Sequence, residues 1–262
     1  MTFIRGFLIT VQFFSSIPIN KEFPMDQEHL KKAVQAFPLL GLLQGIIYSI
    51  LLYFFVEFSP FTHLASAFFL WLMTIILTGG IHLDGWMDTS DAYFSYRDQE
   101  KRLSIMKDPR TGAFGVLSVI VLLSMRFFFI YEMTRNPMTS TYLLIAAIPF
   151  FSKMVMGCLL LSVKSAKQEG LGYLFQKAAD VKSLYFYLFY LVGFILFVIL
   201  LFHEFVQTGI MLLVAVVSFY FWRRKSVKWF GGMTGDVLGA SVEGTEVGLW
   251  MTLWLLHYFV TA

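Results

Sequence analysis

Residues 183–202 read SLYFYLFYLVGFILFVILLF, a run without one charged side chain. At about 1.5 Å per residue it reaches across a hydrocarbon core of about 30 Å. Inside such a core only a helix or a closed barrel satisfies every backbone polar group. Working outward, runs of similar length fall near 37–56, 62–81, 113–132, 139–161, 205–222 and 237–259. The whole chain is 58% hydrophobic, 18% aromatic and 14% charged, with a mean hydropathy of +0.70. A soluble domain carries about 25% charged residues. Apolar residues come in runs and not in alternation, which excludes an outer-membrane barrel. The expectation is an all-α polytopic membrane bundle of about seven transmembrane helices, one domain over residues 1–262.

Ahead of these runs, Arg5 precedes an apolar stretch at 6–14, but Ser-Ser-Ile-Pro follows in place of a small-residue cleavage site. A short N-terminal interfacial helix is expected instead of a cleaved signal. The single cysteine, Cys158, excludes an intrachain disulfide and a cysteine metal cluster. Basic residues then sort by side. Arg5, Lys21, Lys31 and Lys32 precede the first run, and Arg97, Lys101, Arg102, Lys107 and Arg110 follow the second. Lys164, Lys167, Lys177 and Lys182 follow the fourth, and Arg223, Arg224, Lys225 and Lys228 the sixth; the other loops hold only Arg135. The asymmetry predicts a cytoplasmic N-terminus and cytoplasmic polar loops.

The largest such loop belongs to residues 79–115, GGIHLDGWMDTSDAYFSYRDQEKRLSIMKDPRTGAFG. Asp84, Asp88 and Asp91 stand at i, i+4 and i+7, within about 60° of one another on a helix face. Carboxylates packed so closely repel unless a cation sits among them, so the spacing suggests a divalent metal. Residues 231–246, GGMTGDVLGASVEGTE, repeat the pattern with Asp236, Glu243 and Glu246 on one face of the last span. Ionisable groups at such depth face a polar cavity or a partner. Gly235, Gly239 and Gly244 allow close approach of a helix or ligand. Taken singly, Glu243 or Glu246 reads equally well as a structural partner of Arg126 or Lys153.

Between the acids, Lys107 and Arg110 flank a turn ending at Gly112, just before a helix start. Free N–H groups and two cations there suit a phosphate. Residues 162–172, SVKSAKQEGLG, add Lys164, Lys167 and Glu169 as candidates for the same rim. His82 could orient a carboxylate, act as a base, or do neither. Carboxylates for a metal beside cations for phosphate point to phosphoryl transfer. A membrane setting suggests one large or amphipathic reactant.

Four segments, GGIHLDGWMDTSDAYFS, IMKDPRTGAFGV, SVKSAKQEGLG and GGMTGDVLGASVEGTE, together with FPLLGLLQG at 37–45, resemble the cobalamin synthase family of adenosylcobinamide-GDP ribazoletransferases. The resemblance spans nearly the whole chain in order. It implies that α-ribazole or its 5′-phosphate attacks the corrinoid-linked phosphate of adenosylcobinamide-GDP, releasing GMP. It also implies a multi-pass enzyme of the prokaryotic plasma membrane that requires Mg²⁺. Carried onto this chain, Asp84, Asp88, Asp91 and Asp236, with Glu243 and Glu246, are the metal candidates. Asp84, Asp88, Asp91 and His82 are the catalytic candidates, and Lys107, Arg110, Lys164 and Gly235 the ligand-binding ones. No nucleic acid is expected, and a homo-oligomer or a complex with other corrinoid enzymes is permitted.

Two positions depart from the family pattern: Pro109 where serine is common, and Ala92-Tyr93 where glycine is usual. A CDP-alcohol phosphotransferase is the nearest rival, but Trp86-Met87 stand where its Ala-Arg pair belongs. A secondary transporter would favour midplane charges within inverted repeats, and the chain shows no repeat. A scaffold in a membrane complex would use the acids only structurally.

Overall fold

The computed structural model describes residues 1–259. The helices are α1 (Thr2–Phe14), α2 (Gln27–Gln35), α3 (Phe37–Glu57), α4 (His63–Ile76), α5 (Ile81–Phe94), α6 (Gln99–Ile105), α7 (Ala113–Thr134), α8 (Thr139–Ser162), α9 (Gly170–Ala178), α10 (Leu184–Phe202), α11 (Phe205–Phe230) and α12 (Gly235–Phe259). A single 3₁₀ turn, Val181–Ser183, leads into α10. The described residues contain no named strand, as an all-α reading requires.

Five segments are long and apolar enough to cross a membrane: α3, α7, α8, α11, and α10 with its 3₁₀ lead. A sixth, at 62–81, was expected unbroken. The structure ends its helix at Ile76 and turns the chain by 80° into α5. Gly79 and Gly80 make that turn with φ of 64° and 74°, a left-handed conformation that side chains with a Cβ resist. The freed Leu77 carbonyl accepts the Ser16 N–H at 2.9 Å. We take α4 through Gly80 as the span. α5 carries Asp84, Asp88 and Asp91 where α4 carries no acid, so α5 lies outside it.

Two more boundaries move. The expected run 205–222 extends to Phe230, because nothing breaks the helix before Gly231, where φ is 75°. Arg223, Arg224 and Lys225 thus ride on α11 itself. The last expected span, 237–259, is a 25-residue helix but is not among the apolar ones. Glu243, Glu246 and His257 lower its hydropathy. It tolerates them because α5, α7, α8 and α11 pack around it. By length and composition the described residues hold five such spans, or six with the bent pair, so the expected count of seven is not confirmed.

Two helices form the centre. In α8, 83% of the span is buried within the protein, against 17% for α10, which faces outward. The packing of α3 on α8 follows from Gly41 and Gly45, four apart. A Cβ on Gly41 would run into the Pro149 carbonyl oxygen, and one on Gly45 into that of Ala146. Small residues at that spacing let two backbones meet without side chains between them. α12 packs beside α8.

The short helices gather at one end of the bundle. Thr10 of α1 donates to the Ala33 carbonyl of α2 at 2.8 Å. Gln99 and Arg102 of α6 donate to the Lys228 and Trp229 carbonyls at the end of α11, at 3.0 and 3.2 Å. α5, α9 and the first turn of α12 share that end.

Candidate active site

α5 and α12 cross at two glycines. A Cβ on Gly85 would lie 2.6 Å from the Asp236 carbonyl oxygen, and one on Gly239 would lie 3.3 Å from the His82 backbone. Neither helix could come so near with larger residues there. The crossing sets Asp84 and Asp236 on the wall of one cavity of about 640 Å³.

A second junction borders the cavity. The Ala166 N–H donates to the Met233 carbonyl and the Met233 N–H to the Lys164 carbonyl, both at 2.9 Å. This short parallel bridge joins the loop after α8 to the loop before α12. Thr234 then caps α12 by accepting the Val237 N–H at 3.1 Å, which seats Asp236 in the first helical turn, where an acid is favoured. Lys107, Lys167, Glu169, Thr234, Gly235 and Gly239 complete the polar wall.

The cations differ in what they do. Lys167 is half-buried, donates to the Leu103 carbonyl at 3.1 Å, and has its pKa lowered by burial against the opposing pull of Asp236. Exposed Lys107 pairs with Glu169 across the cavity mouth, and that hydrogen bond lowers the Glu169 pKa. Two expected ligand-binding residues lie elsewhere. Arg110 is 87% exposed and held by Asp108 at 2.7 Å, a pairing that draws Asp108 down to about 2. Lys164 is exposed and contributes its backbone, not its ammonium, to the junction. Rotation of the loop by the Ser165–Met233 bridge leaves Lys167, not Lys164, on the cavity.

The aspartate face also divides. α5 is helical throughout, so Asp84, Asp88 and Asp91 do share a face. Asp91, however, accepts the Gly112 N–H at 2.6 Å and the Gly115 N–H at 2.8 Å. It caps the start of α7, the anion site read from the sequence as open to phosphate. That helix end is filled by the protein's own carboxylate. Asp88, one turn before, is outside the cavity wall and only half-buried. Burial and the charges of Asp84, Asp236 and Asp91 push its pKa up to about 7.

Glu243 and Glu246, read as metal candidates, face cations instead. Glu243 accepts a hydrogen bond from Arg126. Glu246 lies 3.9 Å from both Arg126 and Lys153 and accepts the Ser152 hydroxyl at 2.9 Å. All four charged side chains are at most 5% exposed. They form a neutral internal cluster, because a lone charge at that depth is costly and mutual pairing offsets the cost.

Hard oxygen donors remain as the metal candidates. Among the described residues no three histidine, cysteine or acidic side chains converge into a ready metal cage. Mg²⁺ is commonly held by one or two carboxylates while substrate phosphates complete the shell. Asp84 and Asp236 on one cavity with Lys107 and Lys167 suit that mode, and the other four candidate carboxylates do not line that cavity.

Sequence reading missed the apolar part of the cavity. Phe14, Phe37, Met156, Leu160, Phe175 and Leu238 come from five helices, and no local pattern marks them as neighbours. Thr234 was missed too, although a threonine just ahead of a helix start is a capping signal. His82 is 2% exposed, stacks on Phe14 with ring centroids 6.0 Å apart, and its Nε2 has no hydrogen-bond partner. A larger cavity of about 990 Å³ between α3, α8 and α10 holds Glu57 as its one charged residue. Asp84, Asp236, Lys107 and Lys167 line the smaller one.

Residues 6–254 match the family described as "Cobalamin-5-phosphate synthase". An "Adenosylcobinamide-GDP ribazoletransferase" from Geobacillus sp. (strain WCH70) is 41% identical over 258 residues, 97% of each chain. Proteins of the same description from Treponema denticola and Halalkalibacterium halodurans are 34% and 33% identical, over 97% and 99% of this chain and 99% and 98% of theirs. No solved structure matches.

Proposed function

Because this chain belongs to the cobalamin-5-phosphate synthase family, we propose that it transfers the cobinamide-phosphate group of adenosylcobinamide-GDP to the ribose hydroxyl of α-ribazole or its 5′-phosphate. One P–O bond forms to the ribose oxygen, the P–O bond to GMP breaks, GMP leaves with that electron pair, and the hydroxyl proton is released. The observation that carries the assignment of residues is the shared cavity of Asp84, Asp236, Lys107 and Lys167.

In this reading Lys107 and Lys167 meet the diphosphate oxygens, Lys107 exchanging Glu169 for phosphate as substrate enters. Asp84 and Asp236 would hold Mg²⁺, with Asp88 beside them on the next turn. When bound, Mg²⁺ offsets charge building on the departing GMP and acidifies the attacking hydroxyl. The cap of α7 by Asp91 fixes α5 so that Asp84 stays on the cavity. Basic residues at the end shared by α5, α6 and α9 favour a cytoplasmic site in a prokaryotic plasma membrane.

The test is turnover by liposome-embedded protein given adenosylcobinamide-GDP and α-ribazole 5′-phosphate. GMP and a cobamide product should appear with Mg²⁺ and stop with EDTA. Turnover unaffected by chelation would remove the metal from the account. Absence of GMP from folded protein would remove the reaction.

A further inference from the structure

The cavity that carries Asp84 and Asp236 has two unlike ends. One is charged and opens between the loops. The other is closed by Phe14, Phe37, Phe175, Met156 and Leu160. The three phenylalanine rings pack on one another at centroid distances of 5.2 to 6.0 Å. His82 belongs to this end: its ring lies 11° from parallel to Phe14, and its Nε2 is buried without a partner. A ring nitrogen without a protein partner is free to make a hydrogen bond to a ligand.

We propose that this deep end is the base pocket of the ribazole substrate, with His82 hydrogen-bonded to the free ring nitrogen of the base. The proposal rests on the ribazoletransferase reading above and adds which substrate lies where. A flat, largely apolar heteroaromatic ring matches aromatic and thioether walls. A neutral imidazole offers one donor and one acceptor, enough for one ring nitrogen. Guanine, the other base in the reaction, presents O6, N7 and an exocyclic amine. Buried there it would leave polar groups unpaired, a penalty that excludes it. The guanosine diphosphate therefore stays toward the charged end and the solvent, and the riboside enters with its base first. This orientation leaves the sugar hydroxyl between the base pocket and Asp84.

The experiment compares α-ribazole 5′-phosphate with its indole isostere, in which CH replaces the free ring nitrogen. Wild-type protein in liposomes should prefer the nitrogen-bearing riboside by at least about tenfold in kcat/KM. In His82→Leu that ratio should fall to within about twofold, with the KM for adenosylcobinamide-GDP unchanged. Leu160→Phe, which shortens the deep end, should raise the riboside KM and not that of the corrinoid substrate. No preference in the wild type, or a preference kept in His82→Leu, overturns the proposal, as does a KM effect confined to adenosylcobinamide-GDP. A wild type that releases no GMP from either riboside overturns the transferase reading itself and the proposal with it.

Discussion

At the scale of single residues, the site is defined by which charges face the cavity, and that differs from the count of charges near it. Lys167 and Arg110 make the contrast. Lys167→Met should raise the KM for adenosylcobinamide-GDP by about tenfold or more, as loss of a charge-assisted phosphate contact does. Arg110→Ala should stay within about twofold, since its guanidinium is exposed and turned to Asp108. Asp88 gives a pH signature. Its pKa of about 7 lies above the ordinary 3.8, so the folded protein binds this proton more tightly than the unfolded chain. The stability so gained is complete below the ordinary value and is lost as pH rises through about 7. Metal competes with the same proton. Stabilisation by Mg²⁺ should therefore be larger at about pH 8 than at about pH 5.5, and Asp88→Asn should flatten the difference, as read from thermal unfolding with and without the ion. Equal stabilisation at both pH values would detach Asp88 from the metal.

At the scale of elements, α5 shows how far sequence periodicity reaches. The i, i+4, i+7 spacing correctly puts three aspartates on one helix face, because helical geometry is local. Which neighbour each aspartate meets is a tertiary matter. α7 arrives with its free N–H groups at Asp91, and α12 arrives at Asp84. The glycines that admit these approaches, Gly85, Gly112 and Gly115, were visible in the sequence, but the partner of each was not. The same limit applies to Glu243 and Glu246: the helix face was legible, and the structure sets them against Arg126 on α7 and Lys153 on α8. Asp91→Ala should cost about 1–2 kcal/mol of stability, as lost helix caps do. Gly115→Ala should destabilise too, since its Cβ would stand 2.5 Å from the Asp91 carboxylate. Chemical denaturation in detergent would measure both. Unchanged stability in Asp91→Ala with lost metal response would return Asp91 to the ligand set.

At the scale of the molecule, the polar cavity depends on a bundle whose centre is itself charged. Arg126, Glu243, Glu246 and Lys153 tie α7, α12 and α8 together beneath the site. Removing one partner of a buried pair costs about 3–5 kcal/mol, so Arg126→Met should lower the unfolding temperature sharply. Asp84→Asn, at an exposed position, should not. Helical class and most span positions were legible because apolar runs report the solvent directly. The last expected span was the exception: α12 is enclosed by protein on its charged face and is not among the segments apolar enough to cross. The central claim is that Asp84 of α5 and Asp236 of α12 act as one site. It is tested most directly by a double-mutant cycle on turnover with Asp84→Asn, Asp236→Asn and both together. Each single change should cost about 10³-fold or more, and the pair little beyond either, as residues acting as a unit do. Multiplying losses, or near-normal turnover in Asp236→Asn, would contradict a shared site.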